Sequence, residues 1–304
     1  MRVLVTGATG FLGRSVCRIL RRDHEVIALG SHDADLTRQD ALRSFDDTPV
    51  ERIYHLAAWT QPGDFAKLHK GEQFLANQQI DLTVLTWWMR RQPQAKLVSI
   101  GTSAAYAPDE EPREENYLKG APVDDLYFYA MAKRFLFMGQ LALQQQFGMK
   151  HLTAVPSALY GPGYAVLTKR MNFVLDIAWK VLKHKHAGTP IVLWGDGTQV
   201  REAVYVDDFV AAMLAIDERV ENEIVNIGAG GGHTIAEFAS AICEIAGVDP
   251  SAIQYDVSRH VGARSKLLDN DKLDALLPDR SFTPLREGLA MIVRDLEPIV
   301  IGGK

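Results

Sequence analysis

The stretch RVLVTGATGFLG at residues 2–13 constrains this chain more than any other. Val3 to Thr6 reads as a strand buried on both faces, and Phe11 to Arg22 carries the helical period. Gly7, Gly10 and Gly13 stand between them. A turn from strand into helix with so few side chains lets the backbone approach a ligand closely, and the helix N-terminus turns its N–H groups toward a pyrophosphate. A strand apolar on both faces needs a cover on each, which argues for a parallel sheet with crossover helices.

The first half keeps alternating in this way. Val26 to Leu29 and Arg52 to Leu56 are predicted strands, Gly71 to Arg91 a long helix, Lys96 to Ile100 a strand, Tyr127 to Phe147 a helix and His151 to Val155 a strand. Between them, APDEEPREENYLKGAPVDD at 107–125 is too rich in Pro and charge to be regular, and its acidic run reads as a solvated loop rather than a ligand site. After residue 155 a helix near Met171 to Lys183, the apolar run IVLW, a helix from Asp207, the strand IVNIG and further helices follow at looser spacing. The expected fold is α/β: a Rossmann-type doubly wound parallel sheet with a smaller C-terminal α/β substrate domain. The first domain is expected over 1–157 with 204–230, and the second over 158–203 with 231–304.

Bulk properties exclude several functions. With 33 basic against 38 acidic residues and a net charge of -5, there is no electrostatic footprint for nucleic acid. The one basic cluster, Lys180, Lys183, His184, Lys185 and His186, falls at the end of a helical pattern, where cations suit the helix dipole. Cys17 and Cys243 are far apart, each within an amphipathic pattern, and are expected to be buried, inert thiols. No apolar run approaches a membrane span, and the opening MRVLV enters a strand pattern at once, so a cytoplasmic location without membrane contact is expected.

In YFYAMAK, residues 127–133, only Tyr129 has a lysine four residues on, which on a helix places Lys133 on the same face. The pair by itself fits either a buried helix face or a phenol poised for proton transfer. Upstream, SIGTSAAYA at 99–107 puts hydroxyl residues at the end of a strand. Glycine turn, hydroxyl strand end and YxxxK, in this order, resemble the short-chain dehydrogenase/reductase superfamily, in particular its extended group acting on nucleotide sugars. Aligning Tyr106 with the tyrosine that ends the family's strand-end motif implies that Thr102 is the catalytic hydroxyl, with Ser103 as the fallback. The resemblance implies that Tyr129 protonates the alkoxide left by hydride addition to a ketone. A free phenol has a pKa of ~10, and poising it near 7 takes about 4 kcal/mol of preferential phenolate stabilisation. Lys133 and a cationic nicotinamide supply positive charge for that, and Thr102 hydrogen-bonds the substrate oxygen.

The same resemblance implies the cofactor contacts: Gly7, Thr9, Gly10, Phe11, Leu12, Gly13 and Arg14 at the turn, Ser31 and His32 after the second strand, Asp35 and Leu36 near the adenine. Leu56, Ala57 and Ala58 would lie beside the cofactor, as would Tyr129, Lys133, Pro156, Ala158 and Leu159. His55, on an apolar strand end, reads as structural. The second strand ends ALGSH, with Gly30 where a ribose-binding acid would stand, while Ser31, His32 and Arg14 suit a 2′-phosphate. NADP(H) is therefore favoured, and Asp33 keeps NAD(H) open.

VPSALYGPG and LWGDGTQVREAVYVDDFVAAML resemble the segments that enter the sugar site and bind the nucleoside diphosphate. Trp194, Arg201, Arg264 and Lys266 are the implied nucleotide contacts, although a surface salt bridge is an equal reading for each single cation. Within the group the likeness is to GDP-L-fucose synthase-like 4-keto sugar reductases. Those enzymes carry a Cys two residues after the catalytic hydroxyl and a His twelve after the Tyr of YGP, where this chain has Ala104 and Asn172. Neither moves a proton next to a ketone. With Ser103, Ala104 and Asn172 as substrate contacts, the expected activity is NADPH-dependent reduction of a nucleotide-diphosphate 4-keto-6-deoxy sugar, GDP-linked, without epimerisation. The alternatives are an NAD-dependent nucleotide-sugar 4-epimerase and a non-catalytic cofactor-binding regulator. The resemblance also implies a homodimer through a four-helix interface formed by the helices at 71–91 and 127–147.

Overall fold

The computed structural model describes residues 1–60, 65–164, 171–259 and 262–302. In chain order, β1 (Arg2–Thr6), α1 (Phe11–Leu20), β2 (Glu25–Leu29), β3 (Arg52–His55), α2 (Phe65–Leu68), α3 (Lys70–Arg91), β4 (Lys96–Ile100), α4 (Tyr127–Phe147) and β5 (His151–Pro156) come first. They are followed by β6 (Ala158–Tyr160), α5 (Phe173–Ala187), β7 (Ile191–Trp194), β8 (Val200–Arg201), β9 (Ala203–Tyr205), α6 (Val206–Asp217) and β10 (Glu223–Ile227). The chain closes with β11 (His233–Thr234), α7 (Ile235–Ala246), β12 (Ile253–Asp256), β13 (Ser265–Lys266), α8 (Asp271–Leu276) and α9 (Leu285–Ile301). α1 stops at Leu20, two residues short of the predicted end. Arg22 and Asp23 there close tight turns onto Ile19 and Leu20 that lead the chain into β2.

These elements form two compact units. The first holds Met1–Pro156, Val210–Ile227 and Asp269–Pro278. Its six-stranded sheet has the order β10-β5-β4-β3-β1-β2, parallel throughout, as the apolar runs and crossover helices require. One apolar cluster joins Leu4, Ile53 and Leu97 of the sheet to Val84 and Trp88 of α3 and Leu136 of α4. At about 25 cal/mol per Å2 of apolar surface, burial of this kind is the main favourable contribution to the fold.

The second unit holds Ser157–Phe209, Gly228–Leu268 and Asp279–Lys304. Here α5, α7 and α9 pack around a core of Val174, Ala178, Phe238, Ile242, Leu289 and Ile292, with β7 pairing β12 at its edge. The division differs in detail from the expected one: Ser157 and residues 204–209 and 228–230 group with the second unit, and Asp269–Pro278 groups with the first. The reason for the last is side-chain chemistry, since Lys272 of α8 reaches Glu223 and the Ile224 carbonyl on β10.

The acidic loop is not simply solvated. Glu114, Asn116 and Tyr117 are buried, and the Glu114 carboxylate accepts the Asn226 N–H at 2.8 Å. Burial pushes its carboxyl pKa up. Asn226 in turn accepts from the Tyr106 hydroxyl at 2.6 Å. Composition alone hides this because one buried carboxylate needs only one well-placed N–H. Cys17 and Cys243 are both buried free thiols, and burial pushes the latter up to about 11.

Candidate active site

The glycine turn sits between β1 and α1. Gly7 has φ +67, and a Cβ there would lie 2.7 Å from the Ala57 nitrogen. A Cβ on Gly13 would lie 2.1 Å from the Gly7 carbonyl oxygen. Gly10 is the N-cap of α1 and, having no side chain, offers the first N–H groups of the helix no side-chain cap of its own. Phe11 and Leu12 open α1, Thr9 is exposed beside them, and Arg14 Nη1 donates to the Thr9 carbonyl at 2.9 Å.

The ends of β2 and β3 flank this turn. Ser31, His32 and Asp35 are exposed, whereas Leu36 is buried in the apolar cluster of the unit. The Asp35 carboxylate binds the N–H and hydroxyl of Thr37, which holds its pKa below the usual carboxylate range. The sequence places a glycine at the end of β2, but the Asp33 carboxylate folds back onto it and accepts the Gly30 N–H at 2.8 Å. Leu56, Ala57 and Ala58 are half-buried after β3. His55 is buried between Thr6 Oγ1 at 2.8 Å and Asp81 Oδ1 at 2.9 Å, a structural bridge from β1 to α3.

On the same unit, β4 ends at Ile100, and two residues on Thr102 is buried and caps a short turn at Ser103–Ala105 by accepting the Ala104 N–H at 3.2 Å. Ala104 is buried and Ser103 half-buried. That turn packs against α4, whose first turns carry Tyr129 and Lys133, both half-buried and one turn apart. A further phenol, Tyr117, ties the two together: its oxygen accepts the Thr102 N–H at 3.2 Å, and it lies within electrostatic reach of Tyr129. Nothing in the composition of its loop marks Tyr117, and only the fold reveals it.

The second unit carries the remaining candidates. Pro156 ends β5 in the first unit, and Ala158 and Leu159 lie on β6, which pairs with β9. Asn172 caps α5: its Oδ1 accepts the Leu175 N–H at 3.1 Å and its Nδ2 donates to the Leu159 carbonyl at 2.8 Å. Trp194 is 53% exposed at the end of β7, with the Arg259 guanidinium 5.6 Å from its ring. It leads into a tight turn where Asp196 accepts from Thr198 and Gln199.

In the three-stranded sheet β11-β8-β13, Arg201 is in register with Lys266 on one side and His233 on the other. Paired residues share a face of a sheet, so three basic side chains form one row. Arg201 is half-buried, and burial pulls its pKa down. Arg264 is exposed just before β13. His233 escaped sequence reading because register cannot be counted across strands two residues long.

Among the described residues no group of three His, Cys, Asp or Glu is placed to hold a metal ion, and no helix is long and apolar enough to cross a membrane.

Residues 3–228 match the NAD dependent epimerase/dehydratase family. GDP-L-fucose synthase 1 of Arabidopsis thaliana is 30% identical over 95% of this chain and 91% of its own length. A dTDP-4-dehydro-6-deoxy-D-allose reductase of Streptomyces sp is 29% identical over 96% of this chain and 95% of its own. In fold, the chain resembles the GDP-L-fucose synthetase of Naegleria fowleri solved with NADP bound, with a TM-score of 0.84 at 23% identity over 97% of this chain and 93% of that one.

Proposed function

As this chain belongs to the NAD dependent epimerase/dehydratase family, we propose that it is an NADPH-dependent oxidoreductase that reduces the C4 ketone of a nucleotide-diphosphate 4-keto-6-deoxy sugar, GDP-linked, without epimerising it. The observation that carries the reading is the grouping on one unit of a helix N-terminus whose N-cap is glycine, the buried Thr102 just after β4, and Tyr129 with Lys133 on the helix packed against it. The names of the curated relatives support the substrate class.

The residues present fit a dinucleotide. The Gly7 and Gly13 positions leave backbone where a Cβ would collide, and Gly10 brings no competing cap to the pyrophosphate. Gly7 to Arg14 would hold the pyrophosphate and adjoining ribose, Ser31 and His32 the 2′-phosphate, and Ala57 and Ala58 the face of the chain beside the nicotinamide. When bound, the reduced nicotinamide supplies the hydride. Thr102 then donates a hydrogen bond to the ketone oxygen, and Tyr129 gives its phenolic proton to the alkoxide. The Lys133 ammonium stabilises the resulting phenolate. In the second unit, the row of Arg201, Lys266 and His233 takes the diphosphate, and Trp194 offers an exposed ring to the base.

Epimerisation needs an acid and a base beside the carbons flanking the ketone. Ala104 has neither function, and the Asn172 amide is engaged at both ends by backbone. The proposed partner is a second copy of this chain, meeting through α3 and α4, where Leu75, Leu82, Phe128 and Met138 leave apolar surface exposed. The mass of the particle in solution tests that.

The activity is tested by NADPH oxidation with GDP-4-keto-6-deoxymannose in D2O. Turnover with no deuterium at C3 or C5 of the product is the expected result, and deuterium there would overturn the non-epimerising reading. Release of tightly held NAD on denaturation, with no NADPH consumed, would replace this reading with a nucleotide-sugar 4-epimerase. Cofactor binding without any turnover would replace it with a regulator.

A further inference from the structure

We infer that Tyr117 and Arg134 are positioning residues that together set the Thr102 hydroxyl, a role that rests on reading Thr102 as the ketone's hydrogen-bond donor. Thr102 leaves β4 in an extended conformation, φ -150 and ψ 138, with its N–H buried. A buried N–H must find an acceptor, and here it is the phenol oxygen of Tyr117 at 3.2 Å. The phenol fits because residue 101 is glycine. A Cβ there would lie 2.9 Å from the Tyr117 oxygen and 2.8 Å from Val155. With the Thr102 N–H held on one side, its Oγ1 turns to accept the Ala104 N–H, which leaves the hydroxyl proton available to a ligand.

The ring of Tyr117 is held as firmly as its hydroxyl. It is fully buried and makes edge-to-face contacts with Tyr106 at 5.4 Å and with Phe137 of α4 at 5.6 Å. The segment after it is latched to α4 by Arg134, the residue following Lys133. Arg134 is only 4% exposed, and its guanidinium donates to the carbonyls of Ala105 (3.1 Å from Nε), Lys119 (2.6 Å), Gly120 (2.7 Å) and Leu118 (3.5 Å). One buried cation thus joins the turn after Thr102, the loop carrying Tyr117, and the helix of Tyr129 and Lys133. Burying a guanidinium against carbonyl dipoles rather than a carboxylate is costly unless its donors are satisfied, and here a planar fork meets carbonyls from two segments. Lysine, a single point donor, spans fewer of them.

Tyr117→Phe and Arg134→Lys test this with two readouts. The first is amide hydrogen exchange over residues 99–106, which needs no substrate. The expected result is at least ~10-fold faster exchange of the Thr102 amide in Tyr117→Phe, with β1 and α3 unchanged. The second is kcat per NADPH-binding site with the keto sugar, expected to fall about 10- to 100-fold while KM and NADPH affinity hold within about twofold. Arg134→Lys is expected to lie between this variant and the parent in both readouts. Unchanged exchange at Thr102, or an unchanged kcat per site, overturns the inference. So does a loss of turnover matched by loss of cofactor sites. If the parent protein reduces no keto sugar, the functional reading fails, and the exchange readout still decides whether Tyr117 holds Thr102.

Discussion

Asp33 Oδ2 accepts a hydrogen bond from the Gly30 N–H at 2.8 Å, so the end of β2 carries a carboxylate even though the residue there is glycine. A negative charge at this place opposes a 2′-phosphate and favours a free ribose hydroxyl. Replacing it, Asp33→Ser, is expected to raise the preference for NADPH over NADH about 5- to 10-fold, a shift on the order of 1 kcal/mol. The ratio of kcat/KM for the two cofactors measures it, and an unchanged ratio would show that the carboxylate faces away from the adenosine ribose.

Tyr129→Phe removes the proposed proton donor with little change in side-chain size. Turnover of the keto sugar is expected to drop about 100- to 10,000-fold, the range of general acid catalysis, with NADPH affinity retained. Steady-state rates and cofactor fluorescence titration separate the two.

Arg201→Met breaks the row of basic side chains in the second unit. Loss of a charge-assisted pair is worth ~1.5–3 kcal/mol, so GDP affinity is expected to fall about 10- to 100-fold, read by calorimetry. Arg201→Lys should recover part of this, since the ammonium lacks the planar fork.

His151 opens β5 with both ring nitrogens buried and without a partner. Burial lowers its pKa from 6.5 to about 4, assisted by the nearby Lys96 and opposed by Glu223. The folded state therefore binds this proton less readily than the unfolded chain. Its contribution to stability is constant above pH 6.5, falls as pH drops from 6.5 toward 4, and levels off below that. The loss is on the order of 3 kcal/mol. His151→Phe is expected to flatten that part of the stability profile in urea titrations run at a series of pH values.

Asp217, at the end of α6, meets Lys96 Nζ at 2.7 Å, Arg52 Nε at 3.0 Å and the Tyr54 hydroxyl at 2.9 Å. Burial is the main reason the Tyr54 phenol is pushed upward, with the carboxylate adding to it. Asp217→Asn leaves a buried ammonium without its counter-charge and is expected to cost about 3–5 kcal/mol, seen as a lower urea midpoint. A change below ~1 kcal/mol would mean that the carbonyls of Asp217 and Val220, which Lys96 also contacts, suffice.

Much of the fold was legible because its signals are local. Period-two and period-3.6 apolar patterns, with glycines at the strand-to-helix turn, mark most of the elements in the parallel sheet and their crossover helices. Thr102, Tyr129 and Lys133 could be proposed together from the sequence because their order along the chain and the four-residue spacing on a helix are sequence properties. Helix ends and unit boundaries were less so. They follow from turns such as that at Arg22 and from ties such as Lys272 to β10, which form only between folded elements.

The sequence by itself determined a dinucleotide-type sheet, the glycine turn, the order and spacing of Thr102, Tyr129 and Lys133 along the chain, and the absence of acid or base at residues 104 and 172. Only the tertiary structure decided that Asp33 returns to Gly30, that Tyr117 and Arg134 hold the Thr102 turn, and that His233 joins Arg201 and Lys266 in one row. The physical reason is the range of each constraint. Backbone geometry and helical spacing act within a few residues, whereas a buried donor takes whichever acceptor the packed chain brings within about 3 Å of it.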